Sequence, residues 1–303
     1  MKREKIIIGS RGSKLALIYA ERVRKKIIEK YANKIDIKSI VTSGDQNQKD
    51  RLSEIGGKGL FSKTIEVELL ESKIDLAVHA LKDMRSIETE GLITNCFLER
   101  NFSHEILISK NNVIFNDLKP NSIVGTSSYR REFQLKHKRK DLIFKLIRGN
   151  VDTRIKKLKD GLYDAIILSK AGIDSLKLNE NITEEFSTED VIPSVGQGVI
   201  AVQCRKNDKE MIELLKKINH KETHIRATAE REVLKTLEGD CETAIGVVSF
   251  VDDKKISLTA ELFSLDGKER YYLKESKELH LAKELGRYVG DILKKRSKGN
   301  YKR

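Results

Sequence analysis

Tryptophan is absent from the 303 residues, proline occurs twice and cysteine three times. The cysteines, Cys96, Cys204 and Cys241, are odd in number and far apart. That excludes a disulfide framework and a CxxC metal site, so no metal is expected, and it points to a reducing compartment. Aromatics amount to 6%, and neither an RNP-like segment nor a zinc-finger spacing occurs, which argues against nucleic acid as a partner. Long apolar runs are missing too. Ile6-Ile7-Ile8 is cut off by Gly9 and Ser10, short of the roughly 7–15 apolar residues of a secretory core. No stretch approaches the roughly 20 of a membrane span. The expectation is a cytoplasmic chain that does not engage a membrane. No GxxxxGK[ST] loop is present, and Gly9-Ser10-Arg11-Gly12 does not fit GxGxxG, so a Walker-type or dinucleotide site is not expected.

What the chain has is charge and length. Lys+Arg number 59 against Asp+Glu 46, a formal +13, which favours anionic partners without naming one. Heavy use of Lys, Ile and Asn makes part of this a compositional drift, with many lysines only solvating a surface. The length suits two or three domains. The first two-thirds alternates short apolar runs (6–8, 35–41, 74–81, 122–124, 142–147, 163–168) with helix-like periodic runs (15–29, 60–70). Such βα alternation predicts largely parallel sheets with helices on both faces, in two lobes. Pro193 to Gly198 is a turn-rich break before an apolar strand, Val199–Val202. The last third changes order: a long helix at 221–237, strands near 244–251, 256–263 and 270–274, and a helix at 281–295. This predicts a separate α+β domain. The expected boundaries are 1–98 with 199–217, 99–198, and 218–303. His137-Lys138-Arg139-Lys140 reads as a solvated helix end, and 294–303 as a frayed tail.

The placement of the arginines carries the first functional signal. Arg11 follows a strand in Gly9-Ser10-Arg11-Gly12-Ser13. Arg130 and Arg131 follow Gly125-Thr126-Ser127-Ser128. Arg148 ends a strand and Arg154 opens a helix in Arg148-Gly149-Asn150-Val151-Asp152-Thr153-Arg154. Strand carboxyl ends and helix amino ends are where open α/β sheets bind ligands, and their free N–H groups favour anions. One such arginine would be an ordinary surface residue. Five at equivalent places predict a polyanion site, phosphate and carboxylate remaining open. Gly56-Gly57-Lys58-Gly59 precedes a helix, and a turn explains it as well as a site does.

Ala77-Val78-His79-Ala80-Leu81-Lys82-Asp83 is an apolar strand ending in two charges. Among arginines, Asp83 is the natural carboxylate for proton transfer or for stabilising a cation, ionised at its ordinary pKa of about 4. His79 reads as a packed core histidine. Cys96 and Cys204 lie in apparent strands as inert thiols. Cys241 differs, because it follows the helix stop Leu237-Glu238-Gly239-Asp240 and sits in a loop of the third domain.

These segments together resemble the porphobilinogen deaminase, or hydroxymethylbilane synthase, family. The resemblance runs from about Ile6 to the last helix. Gly56–Phe61, Ala77–Asp83, Val124–Arg131 and Leu146–Arg154 carry it, joined by Val195–Gly198 and Leu237–Cys241, in the family's order. It implies two periplasmic-binding-protein-like lobes with mixed, mostly parallel sheets, hinged near 96–101 and 194–198, plus a C-terminal α+β domain. It implies a cytoplasmic, monomeric transferase of tetrapyrrole synthesis that condenses four porphobilinogen molecules, with loss of ammonia, on a covalent dipyrromethane primer. By the family's motifs Cys241 carries the primer and Asp83 is catalytic. Lys82, Asp83, Thr126, Ser127, Ser128, Arg130, Arg131, Arg148 and Gly149 would bind the primer. Arg11, Ser13, Lys58, Phe61, Arg148, Arg154 and Gln197 would bind substrate. Several positions depart from the pattern. Met84-Arg85 stands for Val-Pro, Ser175 for an arginine, Asp240 for a second glycine, and Lys14 and Tyr19 for Pro and Gln. Two other readings compete: a solute-binding protein for a polycarboxylate, which the missing signal peptide and the third domain disfavour, and a nucleic-acid binder.

Overall fold

The computed structural model describes residues 3–30, 34–46, 59–240 and 243–302. The chain builds a first lobe, crosses to a second, returns to finish the first, and ends in a third domain. In the first lobe β1 (Lys5–Arg11) leads into α1 (Lys14–Ile28), β2 (Lys34–Ile40), the short α2 (Ser43–Gln46), α3 (Lys63–Leu70), β3 (Leu76–Ala80) and β4 (Leu92–Phe97). The second lobe holds β5 (Glu105–Ser109), β6 (Ile123–Gly125), α4 (Tyr129–Lys138), β7 (Ile143–Lys145), α5 (Val151–Lys159), β8 (Ala165–Ser169), α6 (Lys170–Leu176) and β9 (Glu184–Glu185). The chain then returns through β10 (Ile200–Arg205) and α7 (Lys209–Ile218).

Each lobe carries a five-stranded mixed sheet, with orders β2-β1-β3-β10-β4 and β7-β6-β8-β5-β9. The pattern is the same in both. Three strands run parallel, and the fourth, β10 or β5, pairs antiparallel on both sides. Four of five strands therefore point one way, which is the mixed, mostly parallel architecture expected. The strands are apolar because both faces are covered. One face of the first sheet packs Ile6, Ile8, Val78, Ile200 and Val202 against Tyr19, Ala20, Val23 and Ile27 of α1 and Leu214 and Leu215 of α7. The other packs Ile40, Ala77 and Leu92 under Ile65 and Leu69 of α3. In α1 the buried positions recur every three or four residues, the spacing of one helix face. Ser13 caps it, its Oγ accepting from Ala16 N at 3.3 Å.

Two chain crossings join the lobes and pair with each other. Leu98 N donates to Ile200 O at 3.1 Å and Asn101 N to Gly198 O at 2.9 Å. Gly198 has φ +81°, and a Cβ there would lie 2.5 Å from Asn101 O, so no other residue fits the crossing. The third domain comprises α8 (Lys221–Thr236), a three-stranded antiparallel sheet of β11 (Ile245–Asp252), β12 (Lys255–Phe263) and β13 (Arg270–Glu278), and α9 (Ala282–Ser297). α8 and α9 cover the sheet through Val233, Leu285, Val289 and Leu293. A buried ion pair ties this domain to both crossings. Arg100 meets the Glu230 carboxylate through two nitrogens, at 2.5 and 3.2 Å, and its Nε donates to Gln197 O. Glu230 also accepts from Gly196 N, Ser249 N and Ser249 Oγ.

Several local expectations need correction. The helix at 60–70 begins at Lys63, the strand at 74–81 at Leu76, and β7 stops at Lys145, so Arg148 lies in the loop beyond it. Arg139 is not a solvated charge: it donates to the carbonyls of Phe115, Asn116 and Leu118 and pairs with Asp141. The stretch 294–302 is not frayed. Tyr301 is buried and its hydroxyl donates to Leu237 O at 2.9 Å. Apolar contact with the α8 end outweighs the solvation of the surrounding lysines. Cys96 and Cys204 are buried on β4 and β10, and burial pushes their thiols up to about 12 and about 11, which keeps them unreactive. His79 is also a core residue, with burial driving its pKa down to about 4.

Candidate active site

A cleft of about 340 Å³ opens where the strand ends of both lobes face the start of β11 and the end of α8. Its walls come from the elements on which the sequence places the arginines. Arg11, the last residue of β1, lays its guanidinium 4.1 Å from the centre of the Phe61 ring and sends Nη1 to within 3.5 Å of Asp83 Oδ2. Asp83 ends a 3-10 turn, Leu81–Asp83, directly after β3. Lys82, in the same turn, points elsewhere, its Nζ donating to Ser169 Oγ and Gln197 Oε1, both at 3.4 Å. Gln197 is fully buried at the second crossing, where its Nε2 donates to Ser103 O at 2.7 Å. Lys82 therefore ties the second crossing to the cleft.

The second lobe supplies the opposite wall. Ser128 caps α4, its Oγ accepting from Arg131 N. Thr126 is buried behind the cleft lining and steadies this turn, its Oγ1 accepting from Ser128 N at 3.2 Å. Gly149, at φ +114°, turns the chain ahead of α5, and Arg154 Nε donates to its carbonyl at 2.8 Å. Arg130 and Arg131 share one buried carboxylate, Glu105 of β5. Arg130 Nη2 lies 2.5 Å from Oε1 and Arg131 Nη2 2.8 Å from Oε2. Their Nη1 groups donate to Ile192 O and Ile167 O. Burial works against the charge on Glu105, but the Arg131 and Arg130 guanidiniums outweigh it and hold its pKa at about 2.

Positive charge is in surplus here. Among the described residues the lining holds eight cationic side chains, on Arg11, Lys14, Lys82, Arg130, Arg131, Arg148, Arg154 and Arg231, against the carboxylates Asp83, Asp152 and Asp240. Burial and then neighbouring cations lower the pKa of Lys82 to about 8 and of Arg154 to about 10, and shift Arg148 down as well. The buried Nε of Arg131 has no hydrogen-bond partner. Cations that repel one another, with a donor left over, suit a ligand carrying several carboxylates. The donor set thus fits a dipyrromethane with its acid side chains.

Of the residues anticipated, the cleft gathers Arg11, Ser13, Phe61, Lys82, Asp83, Ser127, Ser128, Arg130, Arg131, Arg148, Gly149, Arg154 and Gln197. Thr126 sits one layer back. Lys58 and Cys241 lie outside the described residues, and Asp240 and Thr243, which stand before and after Cys241 in the sequence, line the cleft. Sequence reasoning missed Glu105, Ser169 and Arg231. Arg231 stands on α8 in a helical run with no glycine or turn signal beside it.

Two α/β lobes and the third domain converge on a cation-rich cleft in which Asp83 stands among arginines, an arrangement suited to a ligand that carries several carboxylates. The family model described as porphobilinogen deaminase, dipyromethane cofactor binding domain, matches residues 6–213, and the one described as porphobilinogen deaminase, C-terminal domain, matches 224–295. The chain is 46% identical over 270 residues to a porphobilinogen deaminase of Geobacillus sp., spanning 88% of this chain and 87% of that one. It is 42% identical over 296 residues to that of Staphylococcus carnosus, spanning 96% and 94%. The chain belongs to the porphobilinogen deaminase family. Among solved structures, the Bordetella pertussis BvgS periplasmic VFT2 domain aligns with TM-score 0.43 and 13% identity over 71% of this chain and 85% of that one. A Salmonella typhimurium periplasmic binding protein aligns with TM-score 0.42 and 15% identity over 77% and 94%. No helix among the described residues is long and apolar enough to cross a membrane.

Proposed function

We infer that this chain is a transferase of tetrapyrrole synthesis that condenses four porphobilinogen molecules head to tail into hydroxymethylbilane, releasing ammonia. The observation that carries this reading is the surplus of cations lining the cleft around Asp83. Porphobilinogen bears acetate and propionate groups, so each condensation adds carboxylates to the bound chain, and the cleft offers them fixed guanidiniums. Arg131, Arg148 and Lys82, with Ser127 and Ser128, hold the primer's acids, while Thr126, Arg130 and Gly149 shape the turns that present them. Arg11, Ser13, Arg154 and, beyond the described residues, Lys58 hold the incoming substrate; Phe61 buttresses Arg11, and Gln197 orients Lys82. Asp83 accepts from pyrrole N–H and stabilises the positive charge that develops as the amino group leaves. Arg11, at 3.5 Å, orients that carboxylate. When bound at Cys241, the dipyrromethane supplies the free pyrrole carbon at which the chain grows.

The chain acts as a cytoplasmic monomer, with its three domains divided at 98/99, 198/199 and 217/218. Intact mass of the purified protein with peptide mapping tests the reading. The expected result is an excess matching a dipyrromethane on Cys241, either as isolated or after incubation of apo-protein with porphobilinogen. A Cys241 that stays bare under both conditions would overturn it and favour a binding protein that returns its ligand unchanged.

A further inference from the structure

Asp83 and the cysteine-bearing loop come from different domains, and inter-domain position is loose unless contacts fix it. Two hydrogen bonds join the segment that follows Asp83 to the third domain. Ser86 Oγ, three residues after Asp83, donates to Gly239 O at 2.7 Å, two residues before Cys241 in the sequence. Arg231 Nη2 of α8 donates to Arg85 O at 2.9 Å. On its far side the same segment is held by the end of the chain. Leu237 O accepts from Tyr301, and the Glu238 carboxylate accepts from Lys294 and Lys302 at 2.8 and 2.7 Å. Leu237, Glu238 and Gly239 are thus each gripped by a different partner, and of those partners Ser86 alone comes from the lobe that carries Asp83. Both loop acceptors, Arg85 O and Gly239 O, are main-chain atoms, so the Ser86 hydroxyl is the group whose identity sets the contact on the Asp83 side.

We propose that Ser86 is a positioning residue for the reaction: its hydroxyl fixes the cysteine-bearing loop against the Asp83 turn, and so governs primer attachment and the alignment of each condensation. The proposal rests on the function inferred above. A small displacement between a tethered reactant and a catalytic group lowers rate far more than it lowers binding. A merely structural contact would instead lower the melting temperature and leave attachment alone.

The test compares Ser86→Ala, Ser86→Thr and Tyr301→Phe, each prepared as full-length apo-protein. Loading from porphobilinogen is followed by intact mass. Ser86→Ala is expected to load about fivefold more slowly than wild type, in keeping with the loss of one hydrogen bond. Its loaded fraction is expected to show a similar fall in kcat with KM within about twofold. Ser86→Thr retains the hydroxyl and is expected to restore both. Tyr301→Phe removes a bond to the same segment from the other side and gives the thermal shift expected of one lost contact. Wild-type loading in Ser86→Ala, a loading defect no larger than that of Tyr301→Phe at equal thermal shift, or failure of threonine to rescue would each overturn the proposal. A wild type that never gains mass at Cys241 would overturn the functional reading itself, a distinct outcome.

Discussion

Glu105→Gln is the most informative single change, because one buried carboxylate neutralises two arginines beneath the cleft. Glu105 is fully buried, and Arg130 and Arg131 hold its pKa at about 2 against an ordinary 4.5. A carboxyl depressed that far by folding gives the folded state about 3 kcal/mol through its ionised form. The contribution is present in full above pH 4.5 and is lost as pH falls through about 2. Glutamine is neutral at every pH and leaves two buried guanidiniums facing each other, a loss on the order of 3–5 kcal/mol. At roughly 2–4 °C per kcal/mol for a unit of this size, the variant should melt about 10 °C below wild type. The assay is thermal and urea unfolding of both proteins at pH 6 and pH 3. The stability gap should shrink by about 2 kcal/mol between pH 6 and pH 3, since the wild-type carboxylate is then giving up its advantage. A variant melting within about 2 °C of wild type, or a gap indifferent to pH, would refute the account of Glu105 as the counter-ion of both arginines.

Three further outcomes are expected. Asp83→Ala should fold and retain acid-bearing ligands but lose condensation, by about 100-fold or more if charge stabilisation is its role; near-normal turnover would remove it from that role. Lys82, brought down to a pKa of about 8, should grip the primer's carboxylates less well as pH rises through 8, so that loading of the apo-protein slows from there while binding takes up a proton. Loading that is flat to pH 9.5 would show that Lys82 keeps its charge. In the free protein the sign is reversed: Lys82 loses its proton earlier in the folded than in the unfolded state, so its burial penalty is relieved between pH 8 and 10.5. Gly198→Ala meets both a positive φ and a carbonyl at 2.5 Å, so it should cost several kcal/mol or block folding, and circular dichroism melts would detect either.

Much of the site was legible because it is built from local junctions. A strand stop, a glycine and a helix start identify Arg11, Arg148 and Arg154 without tertiary information, and the apolar strand before Asp83 marks its turn. What escaped notice depends on the far side of a contact. Nothing near Glu105 in the sequence says that it meets two arginines about 25 residues on. Arg130 and Arg131 carry the same local pattern, and only the packed lobe shows the terminal nitrogens of both engaged, with the Nε of Arg131 left over. Arg231 sits mid-helix, where periodicity reports burial but not which cleft the face meets. The tail at 294–302 reads as a charged end because its buried apolar anchor, Tyr301, is surrounded by lysine, glycine and asparagine. The fold class followed from the βα alternation, whereas the direction of β10 did not, since an apolar strand has the same composition either way round.

That strand has a consequence for how the protein is made. β10 lies in the first sheet between β3 and β4, yet it is synthesised about a hundred residues after them. The second lobe is contiguous from β5 to β9 and can close as soon as it leaves the ribosome. The first lobe waits through that whole interval with the facing edges of β3 and β4 unpaired, each a template for a wrong partner. Synthesis halted between about 190 and 199 therefore leaves a nascent chain whose amino-terminal third is the unfinished part, and such a product should be drawn to chaperones through the first lobe and not through the second.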